Sequence, residues 1–256
     1  MWIDTHAHLY QQVFEDDWSD VVARIRQEKI KHVMLPNIDM DSIAPMMKLV
    51  QEEHQLFKPM MGLHPCDVKE DFENILAQME PLIQSYNCCG IGETGIDLYW
   101  DKTTLDIQKK ALVIQIEWAK KYKLPLIIHA RESFHEILPL IEKHHDENLR
   151  GIFHCFTGSP QIAQQILKLE TFMMGIGGVI SYPKTNLKET LKEIPLSHIV
   201  LETDAPFLPP VPHRGKRNES SYIPLIGSHL VDVYGGTLEG IAQATTQNAM
   251  RIFELS

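Results

Sequence analysis

The sequence has few cysteines for its length, and none of the four, Cys66, Cys88, Cys89 and Cys155, belongs to a Cys-x-x-Cys pair. That spacing supports neither a disulfide framework nor a thiolate zinc site, so buried, unreactive thiols are the expectation. If the adjacent Cys88 and Cys89 lie on a strand, their side chains point to opposite faces. No apolar run is long enough to span a bilayer, and Met1 to His6 has neither a basic leader nor the apolar stretch of a signal peptide. A cytoplasmic protein without membrane contact is expected. Positive charge is also in short supply, with 24 Lys and Arg against 34 Asp and Glu and a formal net charge of -10. This argues against a protein that coats nucleic acid through many phosphate contacts, while a local basic patch remains compatible with it. Gly/Ser-rich linkers, blocks of like charge and fixed-period repeats are missing.

What is present is the composition of a folded chain with a large core, 44% hydrophobic and 23% charged. At 256 residues it fits either one large barrel or two smaller domains. Short apolar runs recur between helix-like stretches: Trp2-Ile3, Val33 to Leu35, Pro59 to Gly62, Cys89 to Gly92, Leu126 to Ile128, Gly151 to Phe153, Phe172 to Gly175 and Ile199 to Leu201. Eight strands alternating with helices predict parallel pairing and a single-domain α/β fold, the (β/α)8 TIM barrel, over residues 1–256. Ser133 with Glu136 reads as a capping box, and Ser159 before Pro160 as a helix start. Leu105 to Tyr122 reads as an amphipathic helix covering the barrel, with no functional role of its own. Ala205 to Ile226, dense in proline and charge, is the one long stretch without clear periodicity, an elaborate loop after the last strand.

Catalytic groups of such barrels gather at the C-terminal ends of the strands, so the polar residues that follow each apolar run carry the chemical information. They are His6 and His8 after the first run, His64 after the third, Glu93 after the fourth, His129 after the fifth, His154 after the sixth, and Glu202 and Asp204 after the eighth. Burying several imidazoles and carboxylates together is costly unless a cation pairs them, and a metal ion supplies that charge. His6 and His8, two apart on a strand end, point to the same side and can grip one ion together. A lone strand-end histidine is more often structural, but the whole constellation is not.

These runs carry a resemblance. Ile3-Asp4-Thr5-His6-Ala7-His8-Leu9, Gly62-Leu63-His64-Pro65, Gly92-Glu93-Thr94-Gly95-Ile96-Asp97, Ile128-His129-Ala130-Arg131, His154-Cys155-Phe156-Thr157-Gly158-Ser159 and Leu201-Glu202-Thr203-Asp204-Ala205-Pro206 resemble, in this order, the TatD-type deoxyribonucleases of the amidohydrolase superfamily. Pro212-His213-Arg214-Gly215-Lys216-Arg217-Asn218-Glu219 extends the match, which ends in Thr246-Gln247-Asn248-Ala249 and Phe253. The resemblance implies His6, His8, Glu93, His129, His154 and Asp204 as metal ligands, with Glu93 bridging two ions. It sets His64 and Glu202 apart as residues that orient neighbours or touch substrate. The chain departs from the family where Asn218-Glu219 continues into Ser220-Ser221 rather than proline, and where Leu98-Tyr99-Trp100 follows Asp97. The second departure bears on substrate preference.

The implied function is metal-dependent hydrolysis of phosphodiester bonds, trimming DNA from a single-stranded or free end, with two divalent ions as cofactors. Two ions can make water nucleophilic at neutral pH and hold the attacking and leaving oxygens in line. Asp204 and Glu93 are then the catalytic carboxylates, Asp204 taking the proton of the attacking water. Arg131, His213, Arg214, Lys216 and Arg217 suit phosphate oxygens, and so place one strand end on an acidic protein. Four imidazoles favour zinc or manganese, whereas carboxylates and a nucleic-acid substrate suit magnesium. The alternative is cleavage of a small amide or carboxylic ester, since the same metal barrel serves many reactions. A metal-stabilised binding protein is a third reading, which the full set of ligand positions disfavours. No obligate protein partner is implied.

Overall fold

Along residues 1–255, which the computed structural model describes, eight strands alternate with helices. The order is β1 (Trp2–Asp4), α1 (Trp18–Gln27), β2 (Ile30–Pro36), α2 (Met40–Glu52), β3 (Phe57–Met60), α3 (Phe72–Ser85), β4 (Ile91–Asp97), α4 (Leu105–Tyr122) and β5 (Leu126–Arg131). It continues with α5 (Phe134–His144), β6 (Gly151–Phe153), α6 (Pro160–Leu167), β7 (Phe172–Ile176), α7 (Leu187–Leu191), β8 (Ile199–Leu201), α8 (Ile223–Tyr234) and α9 (Leu238–Ile252). All pairings are parallel, in the orders β1-β2-β3 and β4-β5-β6-β7-β8. Single parallel bridges join the two sheets, Met61 to Ile91 between β3 and β4 and Ala7 to Ala205 beyond β1 and β8. The result is a single-domain (β/α)8 barrel. Among the described residues no helix is long and apolar enough to cross a membrane.

Two apolar layers follow from strand alternation. Inside, Ile3, Met34, Met60, Ile127, Ile152, Met173 and Val200 converge, and Ala249 and Ile252 of α9, with Phe253 just beyond it, pack on them. Outside, the opposite strand faces meet the apolar stripes of the helices. The interior layer is buried and apolar, so it plugs the barrel and leaves the C-terminal strand ends for polar groups.

Several sequence expectations change in detail. The fourth strand starts at Ile91 and runs on to Asp97, so Glu93 sits inside a strand, at a register shift between Ile91 and Thr94. His129 likewise lies within β5. Cys88 and Cys89 precede β4 rather than lying on it. Ser133 flanks α5, but no capping box forms, because its buried hydroxyl donates to the Ile96 carbonyl instead. The capping box in this fold belongs to Asp39 and Ser42 at α2. Ser159 caps α6 as expected. The irregular stretch after β8 is shorter than its proline content suggested, since α8 begins at Ile223 with Pro224 in its first turn.

Candidate metal centre

The site starts where the barrel closes. Asp4, fully buried at the end of β1, accepts hydrogen bonds from the backbone N–H groups of His6 (3.3 Å) and Thr203 (3.0 Å) and from the Thr203 hydroxyl (2.6 Å). It thereby ties the segments after β1 and β8, and Asp204 N–H donates to the His6 carbonyl at 2.9 Å. Asp204 adopts the left-handed conformation with φ 57°, which Asp tolerates better than most residues. His6 and His8 then bring their Nε2 atoms to 3.2 Å from each other, as the two-residue spacing anticipates. Each lies close to Asp204 Oδ1, at 3.8 Å and 3.5 Å.

The other side is built by β4 and β5. Gly92 and Gly95 have φ of 154° and 142°, and a Cβ at Gly95 would fall on the His129 carbonyl. Glycine there lets the two backbones approach, and Glu93 and His129 emerge side by side. The Glu93 carboxylate faces both ways. Its Oε2 lies 3.2 Å from His6 Nε2 and 3.3 Å from His8 Nε2. Its Oε1 lies 2.8 Å from His154 Nε2, 2.9 Å from His129 Nδ1 and 3.4 Å from His64 Nε2.

Hydrogen bonds assign the tautomers of three rings. The Tyr10 hydroxyl donates to the Pro36 carbonyl (2.7 Å), so its oxygen accepts from His8 Nδ1–H (2.9 Å), leaving His8 Nε2 with a lone pair. His129 Nε2–H donates to Asp97 Oδ2 at 2.9 Å, and its Nδ1 lone pair faces the centre. His64 is the reverse. Its Nδ1 accepts from Cys66 N–H at 3.2 Å, so in the neutral ring Nε2 carries the proton that points at Glu93. His64 is thus a donor toward the cavity rather than a ligand. Glu202, fully buried behind His154, accepts from Cys155 N–H and lies 3.5 Å from His154 Nδ1.

Charge in the cluster is unbalanced. Burial alone pushes Glu93 up, yet His154, His64, His6 and the hydrogen bond from His129 hold it well below the usual carboxylate range. Burial lowers His8, His129 and His154, but the neighbouring Glu93 and, respectively, Tyr10 with Asp204, Asp97, and Glu202 draw protons back and raise all three. His6, beside His154, is lowered by burial. In their neutral forms the converging imidazole nitrogens among buried carboxylates fit a divalent cation, which takes the place of the protons the cluster otherwise attracts. Three donor groups can each enclose one: His6, His8 and Glu93; His6, His154 and Asp204; and His64, Glu93 and His129. In the last, the tautomer of His64 makes His154 the better partner for Glu93 Oε1 and His129.

The cluster floors a cavity of about 670 Å³ lined by His8, His64, Glu93, His129, Arg131, His154 and Asp204, among others. Of the basic residues expected near substrate, only Arg131 lines it. His213 stacks on Tyr222 (ring centroids 4.2 Å apart), Arg214 lies over Tyr182, Lys216 is exposed on the same loop, and Arg217 is gripped by Asp17 and Glu219. Cys66 and Cys155 also line the cavity, Cys66 exposed and Cys155 half-buried, so the expectation that these thiols are buried is corrected for Cys66. Burial, with Asp97 and Asp67 nearby, pushes the Cys66 thiol up to about 12, so it stays protonated at neutral pH. Sequence reasoning missed Asp4, Tyr10 and Asp97 as contributors. Asp97 had a signal: four residues beyond Glu93 on one strand, it shares that residue's face.

A (β/α)8 barrel with this imidazole and carboxylate cluster at its C-terminal strand ends defines a metal-dependent hydrolase. The family profile described as "TatD related DNase" matches residues 3–254, and the chain belongs to that family. An "uncharacterized metal-dependent hydrolase YabD" of Bacillus subtilis is 36% identical over 257 residues, spanning 100% of both chains. The "3'-5' ssDNA/RNA exonuclease TatD" of Edwardsiella piscicida is 28% identical over 260 residues, covering 99% of this chain and 100% of that one. The solved structure of the TatD homologue YjjV from Escherichia coli superposes with a TM-score of 0.92 at 27% identity, covering 100% and 98% of the two chains.

Proposed function

We propose that this chain is a phosphodiesterase that removes nucleotides from single-stranded ends of DNA, using two divalent ions. The observation that carries the reading is the two-faced Glu93 carboxylate, with His6 and His8 on Oε2 and His129 and His154 on Oε1. One carboxylate between two donor clusters is the arrangement a pair of ions needs. His6, His8, Glu93 and Asp204 would hold one ion, and Glu93, His129 and His154 the other. Bound ions supply Lewis acidity and a nucleophile from water at neutral pH.

The remaining work falls to the chain's own groups. Asp204 borders the cavity beside His6 and His8, where its carboxylate accepts the proton of the attacking water. His64, with its proton on Nε2, donates to a phosphate oxygen, and Arg131 adds a fork of donors at the same wall. Glu202 keeps His154 oriented from behind. The name of the Edwardsiella relative supports the same substrate class.

The test is to assay the metal-loaded protein on end-labelled single-stranded oligonucleotides beside a panel of small amides and carboxylic esters. Stepwise release of mononucleotides, with the amides and esters left intact, is expected. Ester or amide hydrolysis with intact oligonucleotides would refute the reading and favour the alternative chemistry.

A further inference from the structure

Large apolar side chains are exposed at few places in this molecule, and three of them, Trp100, Phe207 and Leu208, line the catalytic cavity. Trp100 is 71% exposed and Phe207 48%. They stand on opposite flanks of the donor cluster. Trp100 lies in the loop after β4, T-shaped to Tyr99 with ring centroids 4.9 Å apart. The Arg131 guanidinium lies over the Tyr99 ring at 3.7 Å and 5.6 Å from the Trp100 ring, on the His129 side. Phe207 lies in the loop after β8, its ring 6.1 Å from that of His8.

The backbone that carries both rings is fixed in register with the cluster. Asp97, whose Oδ2 accepts from His129, uses Oδ1 to accept from the backbone N–H groups of Tyr99 (2.9 Å) and Trp100 (3.3 Å). Phe207 N–H donates to the Asp204 carbonyl at 2.8 Å, and its own carbonyl accepts from Asn218 Nδ2 at 2.6 Å. Exposed aromatic rings carried on an anchored backbone beside a cation and a hydrolytic centre fit flat heteroaromatic partners, because every nucleobase has a π-face to stack. A duplex keeps those faces stacked within itself, whereas an unpaired strand offers them.

Resting on the phosphodiesterase reading above, we infer that Trp100 and Phe207 are stacking platforms for the unpaired bases on either side of the cleaved phosphodiester. They make the enzyme select single-stranded ends by their bases. Arg131, held against Tyr99, neutralises the phosphate that follows the base on Trp100. The platforms respond to the presence of a base rather than to its identity.

The experiment compares an ordinary oligonucleotide with one carrying an abasic residue at the end or at the penultimate position. Binding is read by fluorescence anisotropy in metal-loaded Asp204→Asn protein, and kcat/KM in protein with Asp204 intact. Trp100→Ala and Phe207→Ala are each expected to reduce the preference for the ordinary strand about 5- to 150-fold, since a stacked base contributes roughly 1–3 kcal/mol. The two variants should affect different abasic positions, and Trp100→Phe should retain most of the preference. Leu238→Ala, an exposed apolar control away from the cavity, should retain all of it. If both alanine variants keep the unsubstituted preference while oligonucleotides are still cleaved, the stacking inference falls and the nuclease reading survives. If the unsubstituted protein neither binds nor cleaves oligonucleotides, both fall together.

Discussion

Asp97 does three things with one carboxylate. It holds His129 in the tautomer whose Nδ1 faces Glu93, and it accepts the backbone N–H groups of Tyr99 and Trp100. Burial raises its pKa, but the His129 hydrogen bond and those N–H groups hold it down to about 2, so it is ionised whenever the protein is folded near neutral pH. Asp97→Asn leaves an amide that can still accept from His129 but gives the imidazole no compensating charge. Metal affinity is expected to fall about 10- to 100-fold, as measured by competition with a chelating dye. Unchanged affinity would mean that Asp97 only shapes the loop. That His6, His8, His64, Glu93, His129, His154, Glu202 and Asp204 gather at one end of the barrel was legible in the sequence because each follows an apolar run, whereas the division into ligands and neighbours came from the family resemblance. Of the residues that set their tautomers, Tyr10 was not legible, since it acts through the Pro36 carbonyl, and Asp97 shared the face of Glu93 while its bond to His129 on the next strand is not encoded by spacing.

At the scale of elements, the loop after β8 is held by a clamp of two cations and two anions. Arg217 donates to both oxygens of Asp17 at 2.7 Å, and to Glu219, which also accepts from Arg24. This ties the loop bearing Phe207 to α1, and gives Arg217 a structural task where the sequence suggested phosphate binding. The Arg217 hydrogen bonds lower the Asp17 pKa from 3.8 to about 2. A depressed carboxylate pKa gives stability that is present above the unfolded value and is lost as pH falls through the folded one, here between pH 3.8 and about 2. The melting-temperature gap between the native protein and Asp17→Asn is therefore expected to be widest near neutral pH. It should close as the pH approaches 2, and shrink in high salt because Asp17 is partly exposed. A gap independent of pH would show that the clamp is not electrostatic. The helix α4 was read from its apolar stripe with the right ends, Leu105 and Tyr122. Its buried Gln108 and Gln115 were passed over, although they accept from Asp97 N–H and Leu63 N–H and so brace the end of β4 and the segment after β3.

For the whole molecule, strand count, alternation and the polar residues at strand ends were enough to anticipate the barrel and the end at which its chemistry sits. What alternation could not give is the geometry of closure. The barrel joins through single bridges at Met61 and Ala7, and Asp4 pins the second seam beneath His6. Those contacts bring His6 and His8 against Asp204, and the glycine-rich path of β4 sets Glu93 between them and His129. On the proposed function, this carboxylate would join two ions into one catalytic unit. The most direct test is the activity of metal-stripped protein on a single-stranded oligonucleotide as manganese or zinc is added in measured equivalents, with bound metal counted by elemental analysis. Two ions per chain are expected, with hydrolysis rising as the second binds and Glu93→Gln losing both the second ion and the activity; full activity with one ion, or two ions retained in Glu93→Gln, would contradict it.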